Sequence, residues 1–334
     1  MGNPVLVEVT RGTVVESRHA GAVAVVDTTG RVVLSLGDVE RPVFPRSAVK
    51  AIQALPLIES GAADRFGFGA EELALACASH SGEPGHVETA ERMLRSASLD
   101  VSALKCGAHW PLNSEASRAL VRSGGTATAI HNNCSGKHAG FICACCAIGA
   151  DVGSYHEPEH PVQREVKAAL ESFSGIALSD HVQATDGCSV PTWAMPLSAL
   201  ARAFAVIATG AGLGPERAKA MARLRGAVAE KPWHVAGTGR FCTEIMRAFG
   251  SRIFIKTGAE GVYCAALPDQ GWGIAVKCDD GAGRAAEVMV AATLAWLLPE
   301  PVDRVALQPF VVPTLRNWRG IEVGRVQPAG PLAL

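Results

Sequence analysis

A serine and a lysine, three residues apart, begin the first strongly helical segment of the chain. Ser47 and Lys50 follow Pro45, and the apolar residues after them recur with helical spacing. On a helix this spacing puts the hydroxyl and the amine on one face, where the lysine can take a proton from a serine nucleophile. The helix start favours the neutral amine, because its dipole disfavours a nearby ammonium. The same pattern is also typical of a capping serine followed by a solvated lysine.

A second motif favours the catalytic interpretation. The tripeptide K-T-G at Lys256–Gly258 ends a predicted strand, Ile253–Thr257. In serine acyl-transfer enzymes with S-x-x-K, a K-T-G follows later in the chain on a strand that lines the cleft opposite the helix. The S-D-N motif of β-lactamases is missing, and the nearest string, Ser179–His181, ends in histidine. The two motifs therefore predict a serine hydrolase that acts on a small amide rather than a plain β-lactamase.

Three further segments have an unusual density of polar residues. They are Cys77–Glu83, His131–His138 and the glycine-containing loop Ala184–Pro191. Each by itself is typical of a solvated turn. Together with S-x-x-K and K-T-G, they are candidates to line a pocket.

Three other motif matches have a simpler interpretation. His156–His160 reads H-E-x-x-H, but Pro158 at its centre prevents the uninterrupted helix that a zinc protease needs. Gly210–Pro215 imitates a dinucleotide loop with proline in place of its third glycine, which indicates the start of a helix. Cys143–Cys146 lies within an apolar run, so its thiols are expected in the core.

Four strings, in this order, resemble the bacterial L-asparaginase II family, the class 3 or rhizobial-type L-asparaginases. They are Arg46–Lys50, Ala78–Glu83, Asn132–His138 and Thr185–Cys188. The resemblance extends over residues 4–328, although S-x-x-K and K-T-G are shared with β-lactamases and glutaminases. It implies a serine β-lactamase-like fold, a homodimer, and hydrolysis of L-asparagine to L-aspartate and ammonia.

The resemblance also implies roles for individual residues. The catalytic pairs are Ser47 with Lys50 and Ser79 with Lys256. One zinc ion per chain is held near the active site, and its ligands match Cys134, Lys137 and Cys188. The matching loops make Asp186 a candidate for the substrate α-ammonium, His138 one for the α-carboxylate, and Asn133 a further substrate-binding residue. Sulfur ligands suit zinc, whereas a lysine amine is a rare ligand, so spacing alone would not have predicted this site.

Alternatives to asparagine hydrolysis stay open at this stage. Glutamine differs from asparagine by one methylene, which usually changes discrimination by only ~1–3 kcal/mol. A glutaminase or a β-lactamase-like serine amidohydrolase therefore fits the same residues. A non-catalytic zinc-binding or amino-acid-binding protein is the alternative of another class, although the intact Ser47, Lys50, Ser79 and Lys256 argue against it.

The predicted elements place strands at both ends of the chain and helices between them. Strand patterns occupy about residues 1–45 and 250–330, and helical patterns dominate about residues 70–235. Consecutive elements usually pack together, so both ends are expected to form one antiparallel sheet with the helices at its side. We therefore expect an α/β fold, a single catalytic domain over residues 1–334 with a helical subdomain.

Composition excludes several classes of protein. With 48% hydrophobic and 19% charged residues, the chain is too apolar for disorder, and its net charge of -1 argues against nucleic acid as a partner. The longest apolar runs, Ala139–Ala150 and Val288–Leu298, are shorter than the roughly 18 residues of a membrane span, so no membrane partner is expected. The first residues lack the pattern of a signal peptide. We expect a cytoplasmic protein with reduced cysteines and a small-molecule substrate.

Overall fold

The computed structural model describes residues 2–298 and 300–333, which divide into two compact units. A sheet unit comprises Met1–Ala48, Ala194–Thr209 and Ile255–Leu334. A helical unit comprises Val49–Trp193 and Gly210–Phe254. The assignment of the whole chain to one catalytic domain stays a prediction.

Strands and helices are numbered in chain order. The strands are β1 (Val5–Arg11), β2 (Val14–Asp27), β3 (Val32–Leu36), β4 (Pro42–Val43), β5 (Gln183–Thr185), β6 (Pro191–Trp193), β7 (Met195–Pro196), β8 (Phe254–Thr257), β9 (Val262–Leu267), β10 (Trp272–Cys278), β11 (Thr314–Arg316) and β12 (Glu322–Pro328). The helices are α1 (Lys50–Gln53), α2 (Leu55–Glu59), α3 (Ala62–Arg65), α4 (Ala70–Ala76), α5 (Pro84–Ser96), α6 (Ser114–Arg122), α7 (Ser135–Ile148), α8 (Pro161–Ser174), α9 (Leu197–Thr209), α10 (Pro215–Glu230), α11 (Pro232–Ala236), α12 (Phe241–Phe249), α13 (Gly283–Leu297) and α14 (Pro301–Val311).

Both ends of the chain contribute to one sheet, as the sequence predicts. Its strand order is β11-β12-β1-β2-β10-β9-β8, with β3 paired to β2. The pairs from β12 to β9 are antiparallel, and β2 joins the two halves because its first part pairs with β1 and its second part with β10. The fold is therefore α/β with an antiparallel sheet built from both chain ends, which confirms the predicted class.

Helix α9 belongs to the sheet unit, although its sequence position suggested the helical subdomain. It packs against β2, β9 and β10. A Cβ atom at Gly273 of β10 would collide with the backbone of Ala201 and Ala205, so glycine is what lets α9 approach the sheet. Helical spacing shows that α9 is a helix but carries no information about which element covers its apolar face.

The helical unit is organised around α7. This helix is buried along Ser135–Cys145, on all faces, and packs against α2, α4 and α5. Its close approach to α4 requires Gly136, because a Cβ there would meet the Leu75 side chain and carbonyl. The first turn of α7, which carries the predicted site residues Lys137 and His138, is therefore fixed in the core.

The structure agrees with the simpler interpretation of the three rejected motifs. His160 caps α8 by accepting a hydrogen bond from Val162, and residues 156–160 precede the helix. Helix α10 begins at Pro215 after the glycine-rich loop. Burial raises the pKa of Cys143 and of Cys145 to about 12, which suits inert core thiols.

Helix α6 is one of several helices that no helical pattern in the sequence predicted. Helix α6 has no buried residue, so it lacks the apolar stripe that identifies a packed helix. The sequence does contain an N-cap residue for α6, because the Asn113 side chain accepts a hydrogen bond from the Ala116 amide. Within the described residues, none of the helices combines the length and the apolar character needed to cross a bilayer.

Candidate active site

Ser47 lies in a 3-10 turn, Arg46–Val49, that leads directly into α1. Within the sheet unit this turn contacts the K-T-G segment, because the carbonyl of Pro45 lies 2.7 Å from where a Cβ atom of Gly258 would stand. Any larger residue at Gly258 would push the segment and the turn apart. The K-T-G segment and the turn that carries Ser47 are therefore adjacent in the structure. Their contact is made by backbone atoms rather than by side chains.

The residue before Ser47 has an unusual backbone conformation. Arg46 has a φ of 49°, in the left-handed region that non-glycine residues rarely adopt. Such conformations persist only where the surrounding structure enforces them, and they are concentrated at functional sites. The half-buried Ser47 therefore sits on a turn that its neighbours hold in a defined shape.

Lys256 is fully buried on β8. Its Nζ donates a hydrogen bond to the carbonyl of Thr257 at 3.0 Å, and the Thr257 hydroxyl donates to the Gly258 carbonyl at 2.9 Å. A buried lysine without a functional role is rare, because burial of an ammonium is costly. The pairing of Lys256 with Ser79 stays a prediction.

Lys50 joins two of the polar strings within the helical unit. This fully buried side chain donates from Nζ to the Ala78 carbonyl at 2.5 Å and to the Asn133 carbonyl at 3.2 Å. Ala78 directly precedes Ser79, and Asn133 directly precedes Cys134. The amine predicted as the general base therefore lies against the backbone of the loops that carry a predicted catalytic serine and a predicted zinc ligand.

The Ser79 loop is held on both sides by hydrogen bonds. The Ser79 amide donates to the Val235 carbonyl at 2.9 Å, and the ring Nε2 of His80 lies 2.9 Å from the Ser135 hydroxyl. Nδ1 of His80 accepts from the Gly82 amide at 3.1 Å, so Nε2 carries the proton and donates to Ser135. Burial keeps the pKa of His80 well below its usual value, which leaves the ring neutral.

The loop before α7 is fixed by side chains that the sequence did not single out. The Asn132 amide group donates to the carbonyls of Cys106 and Gly107, and its oxygen accepts from the Cys134 amide. The backbone N–H of Asn133 donates to Nε2 of His109 at 2.9 Å. His109 and Cys106 stand alone in the sequence, with no spacing that relates them to this loop.

The three predicted zinc ligands lie together in the helical unit. Lys137 Nζ is 3.1 Å from Cys188 Sγ, and the Cys134 thiol lies 3.1 Å from Asn133 Oδ1. Interaction with the Cys188 sulfur, together with the nearby Lys50 and Lys137, holds the pKa of Cys134 well below its usual value. Burial opposes the charge of Lys137, but Cys188 and Cys134 outweigh it and raise the pKa of that amine. Two buried sulfurs beside an amine are a donor set that suits zinc.

Asp186 and Cys188 belong to the turn of the β5–β6 hairpin. The Asp186 amide bonds the Val190 carbonyl, and Ser189 has a φ of 75°. The Asp186 carboxylate accepts from the Gly187 amide at 2.7 Å and lies 3.8 Å from Cys188 Sγ. This half-buried carboxylate, which the sequence predicted to bind substrate, therefore lies next to the predicted zinc ligand Cys188.

His138, in the first turn of α7, is fully buried and bonded to Tyr155. Its Nδ1 lies 2.6 Å from the Tyr155 hydroxyl. Its Nε2 is buried and has no hydrogen-bond partner among the described residues. Tyr155 is a functional candidate that sequence reasoning missed, because an isolated tyrosine before a helix carries no motif.

A second group of metal-binding residue types occurs in the sheet unit. His19, Cys278 and Asp280 offer three atoms within 4.8 Å of one another. Asp280 accepts from Cys278 at 2.9 Å and bonds His19 Nδ1 at 2.6 Å, while Arg284 approaches Nε2 of His19 at 3.4 Å. The arginine cation and the complete set of hydrogen bonds make this cluster a structural link between β2 and β10.

Comparison with known families decides the assignment. The model of the L-asparaginase II family matches residues 7–328. The chain belongs to this family. Membership makes the protein an asparaginase-type amidohydrolase and confirms the resemblance drawn from the four strings. Comparison with curated proteins gave no match.

Two solved structures show distant similarity. A β-lactamase from Mycobacterium bovis has 15% sequence identity and a TM-score of 0.35, with 79% of this chain and 88% of that chain covered. A candidate β-lactamase from Bacteroides dorei has 14% identity and a TM-score of 0.39, with 77% and 84% covered. Nothing about the chemistry of this chain follows from similarity at this level.

Proposed function

We propose that this family member is an L-asparaginase that hydrolyses L-asparagine to L-aspartate and ammonia with Ser47 as nucleophile. The observation that supports it most is the position of Lys50, whose buried amine bonds the backbone of the Ser79 loop and of the Cys134 loop. A solvated lysine after a capping serine, the simpler interpretation of S-x-x-K, does not describe this side chain. Its burial fits a base held in a dry site.

In the first half-reaction, the Ser47 oxygen attacks the side-chain amide carbon of asparagine while Lys50 takes the hydroxyl proton. The C–O bond forms a tetrahedral intermediate, whose oxyanion is stabilised by backbone N–H groups that include that of Ser47. The C–N bond then breaks, and the leaving nitrogen takes a proton and departs as ammonia. The product of this step is an ester between Ser47 and the β-carboxyl of aspartate.

In the second half-reaction, water attacks the ester carbon and releases aspartate and the free Ser47 hydroxyl. Ser79, supported by Lys256, is proposed to deliver the proton to the leaving amine or to orient this water. The pair is carried over from the family resemblance. Burial of Lys256 on β8 and of Ser79 after α4 supports a functional role for both side chains.

Three residues are proposed to bind the α-groups of the substrate. Asp186 offers a carboxylate to the α-ammonium, and His138 offers a ring N–H to the α-carboxylate. Asn133 contributes from the loop that Lys50 bonds, where its side-chain oxygen accepts from Cys134 at 3.1 Å. A charged partner for each charged group is what a small zwitterionic substrate requires.

Zinc is proposed to bind Cys134, Lys137 and Cys188, with one ion per chain. The hydrogen bond between Lys137 and Cys188 and the influence of both groups on the pKa of Cys134 support this choice. When bound, the ion supplies a fixed positive charge that orients the substrate rather than activating water. A thiol and the lysine amine must each lose a proton before they can bind the ion. Zinc binding should therefore release protons.

The homodimer, the cytoplasmic location and the lack of nucleic-acid partners stay proposals that follow from the family resemblance and from composition. Sedimentation velocity on the purified protein tests the first. A single species with the mass of one chain at micromolar concentration would contradict the dimer.

The function is tested by incubating the purified protein with asparagine, glutamine and a chromogenic β-lactam. We expect ammonia from asparagine, and no opening of the β-lactam ring. Ser47→Ala should abolish ammonia release and keep the fold, whereas Ser198→Ala, a half-buried serine in the first turn of α9, should change neither. Turnover of glutamine alone would indicate a glutaminase, and turnover of none of the three would favour a binding protein.

A further inference from the structure

The hydroxyl of Tyr155 has two partners that together fix where its proton lies. It accepts from the Lys105 amide at 2.8 Å, and it lies 2.6 Å from Nδ1 of His138. A backbone amide can only donate, so the hydroxyl must use its own proton elsewhere. The remaining partner is Nδ1 of His138, which therefore accepts.

The alternative arrangement leaves two buried groups without partners. If Nδ1 of His138 donated to the phenol oxygen, both the Tyr155 proton and the Nε2 lone pair would lack partners among the described residues. With Tyr155 as donor, only the Nε2–H of His138 does. Buried polar groups are almost always hydrogen-bonded, so the arrangement with one unpaired group is favoured.

Tyr155 is itself held rigidly in the helical unit. Its side chain is fully buried and lies edge-on to the His138 ring, with ring centres 5.4 Å apart. The Gln163 side chain donates to its carbonyl at 2.9 Å. A buried aromatic residue with a fixed backbone is well suited to set the protonation site of a neighbouring imidazole.

The Nε2–H group belongs to a region that favours an anion. His138 lies in the first turn of a fourteen-residue helix, whose dipole attracts negative charge, and it follows Lys137 in the chain. This N–H is completely buried and has no acceptor within residues 2–298 and 300–333, so a carboxylate oxygen of a ligand would complete its hydrogen bonding.

We propose that Tyr155 is a positioning residue that fixes His138 as the Nε2–H tautomer, and that this N–H donates to a carboxylate oxygen of the substrate. The second part rests on the proposed function. The first part concerns the free protein and stands independently of the reaction. Tyr155 acts through His138 and does not itself touch the substrate.

The tautomer is measured directly by ¹⁵N–¹H NMR of the imidazole nitrogens in the free wild-type protein, with the His138 signals assigned by their loss in His138→Gln. We expect a protonated Nε2 and an unprotonated Nδ1. A protonated Nδ1 would overturn the proposal without any variant of Tyr155. Addition of L-aspartate, which carries the same α-carboxylate, should shift the Nε2–H signal.

Tyr155→Phe removes the hydroxyl and keeps the ring, and the other tyrosine of the chain offers a matched control. Tyr263 bonds Glu287 at 2.9 Å in the sheet unit, so Tyr263→Phe should leave the His138 signals and the kinetics unchanged. In Tyr155→Phe we expect a mixture of tautomers and a KM for asparagine raised by about tenfold or more, the loss of one hydrogen bond to a charged group. The value of kcat should stay within about threefold, because the reacting atoms are not involved.

The outcomes separate this proposal from the proposed function. Ammonia release with no aspartate-induced shift of Nε2–H, or with an unchanged KM in Tyr155→Phe, overturns the proposal and leaves the asparaginase intact. A fall in kcat at constant KM also overturns it. The expected tautomer and a shift with L-aspartate, in a protein that releases no ammonia, would contradict the asparaginase and keep the positioning role.

Discussion

Lys50→Met replaces the buried amine of α1 by an apolar group of similar length and tests two roles at once. As the general base, Lys50 is needed for proton transfer from Ser47. As a hydrogen-bond donor, it holds the Ala78 and Asn133 carbonyls. Loss of activity alone would be compatible with either role, so stability must be measured in parallel.

The expected loss of stability follows from the hydrogen bonds that the Ala78 and Asn133 carbonyls retain in the variant. The Asn133 carbonyl retains a bond from the His80 amide at 3.3 Å, so it loses about 1 kcal/mol, the net contribution of one hydrogen bond. The Ala78 carbonyl has no other donor among the described residues and incurs the cost of an unpaired buried group, about 1–3 kcal/mol. The buried apolar side chain of methionine offsets part of this loss. We expect a net loss of about 2 kcal/mol, which lowers Tm by roughly 5 °C for a protein unit of this size.

The assay compares wild type, Lys50→Met and Ser47→Ala by ammonia release and by thermal unfolding. Both variants should lose activity by at least a factor of about 100, the usual contribution of general base catalysis. Only Lys50→Met should also unfold earlier. An active Lys50→Met protein would refute the base assignment, and an inactive one with the Tm of wild type would refute the argument that the amine holds the two loops.

Three further predictions concern separate parts of the molecule. Elemental analysis should find about one zinc per chain in wild type and in Cys264→Ser, whose thiol is buried in the sheet unit, but none in Cys134→Ser or Cys188→Ser; equal zinc in all four would refute the site. Gly258→Ala places a Cβ 2.7 Å from the Pro45 carbonyl and should lower kcat, since it displaces the Ser47 turn, whereas Gly283→Ala, with open space around it, should not; equal kcat values would contradict the contact. Burial lowers the pKa of His86 to about 4, so the stabilising effect of its neutral ring is complete above about pH 6.5 and is lost as pH falls toward 4, a change of roughly 3 kcal/mol. Chemical unfolding at several pH values should show a flatter dependence in His86→Gln than in wild type or in the exposed-histidine control His181→Gln, and parallel curves would refute the assignment.

The sequence predicted the sheet and most helices because periodicity reports which residues are buried. The strand that carries the K-T-G motif, for example, was predicted over Ile253–Thr257 and extends over Phe254–Thr257. What periodicity cannot report is the partner, so α9 was placed with the wrong group of helices. The position of α9 on the sheet depends on Gly273, where any Cβ atom would collide with the helix backbone. One glycine in a strand does not show in the sequence which helix packs against it.

The candidate site shows the same limit at the level of side chains. Cys134, Lys137 and Cys188 could be named because they stand in strings that resemble a family. The partners of Lys50 could not, because they are backbone carbonyls, which every residue offers equally. The partners of His109 could not be predicted either, because its ring bonds the backbone of Asn133 and of Trp110.

Backbone strain occurs next to the predicted nucleophile and also next to a predicted metal ligand, which residue types do not reveal. Arg46, before Ser47, and Ser189, after Cys188, both have a positive φ, although neither is a glycine. Each such conformation costs on the order of 1 kcal/mol and must be offset by surrounding contacts. Around Ser189 these include the bonds between Asp186 and Val190 and from the Ser189 amide to the Asp186 carbonyl. A glycine at either position would relieve the strain but would also give the turn more conformational freedom. The ordinary side chains at Arg46 and Ser189 therefore restrict the backbone next to Ser47 and next to Cys188.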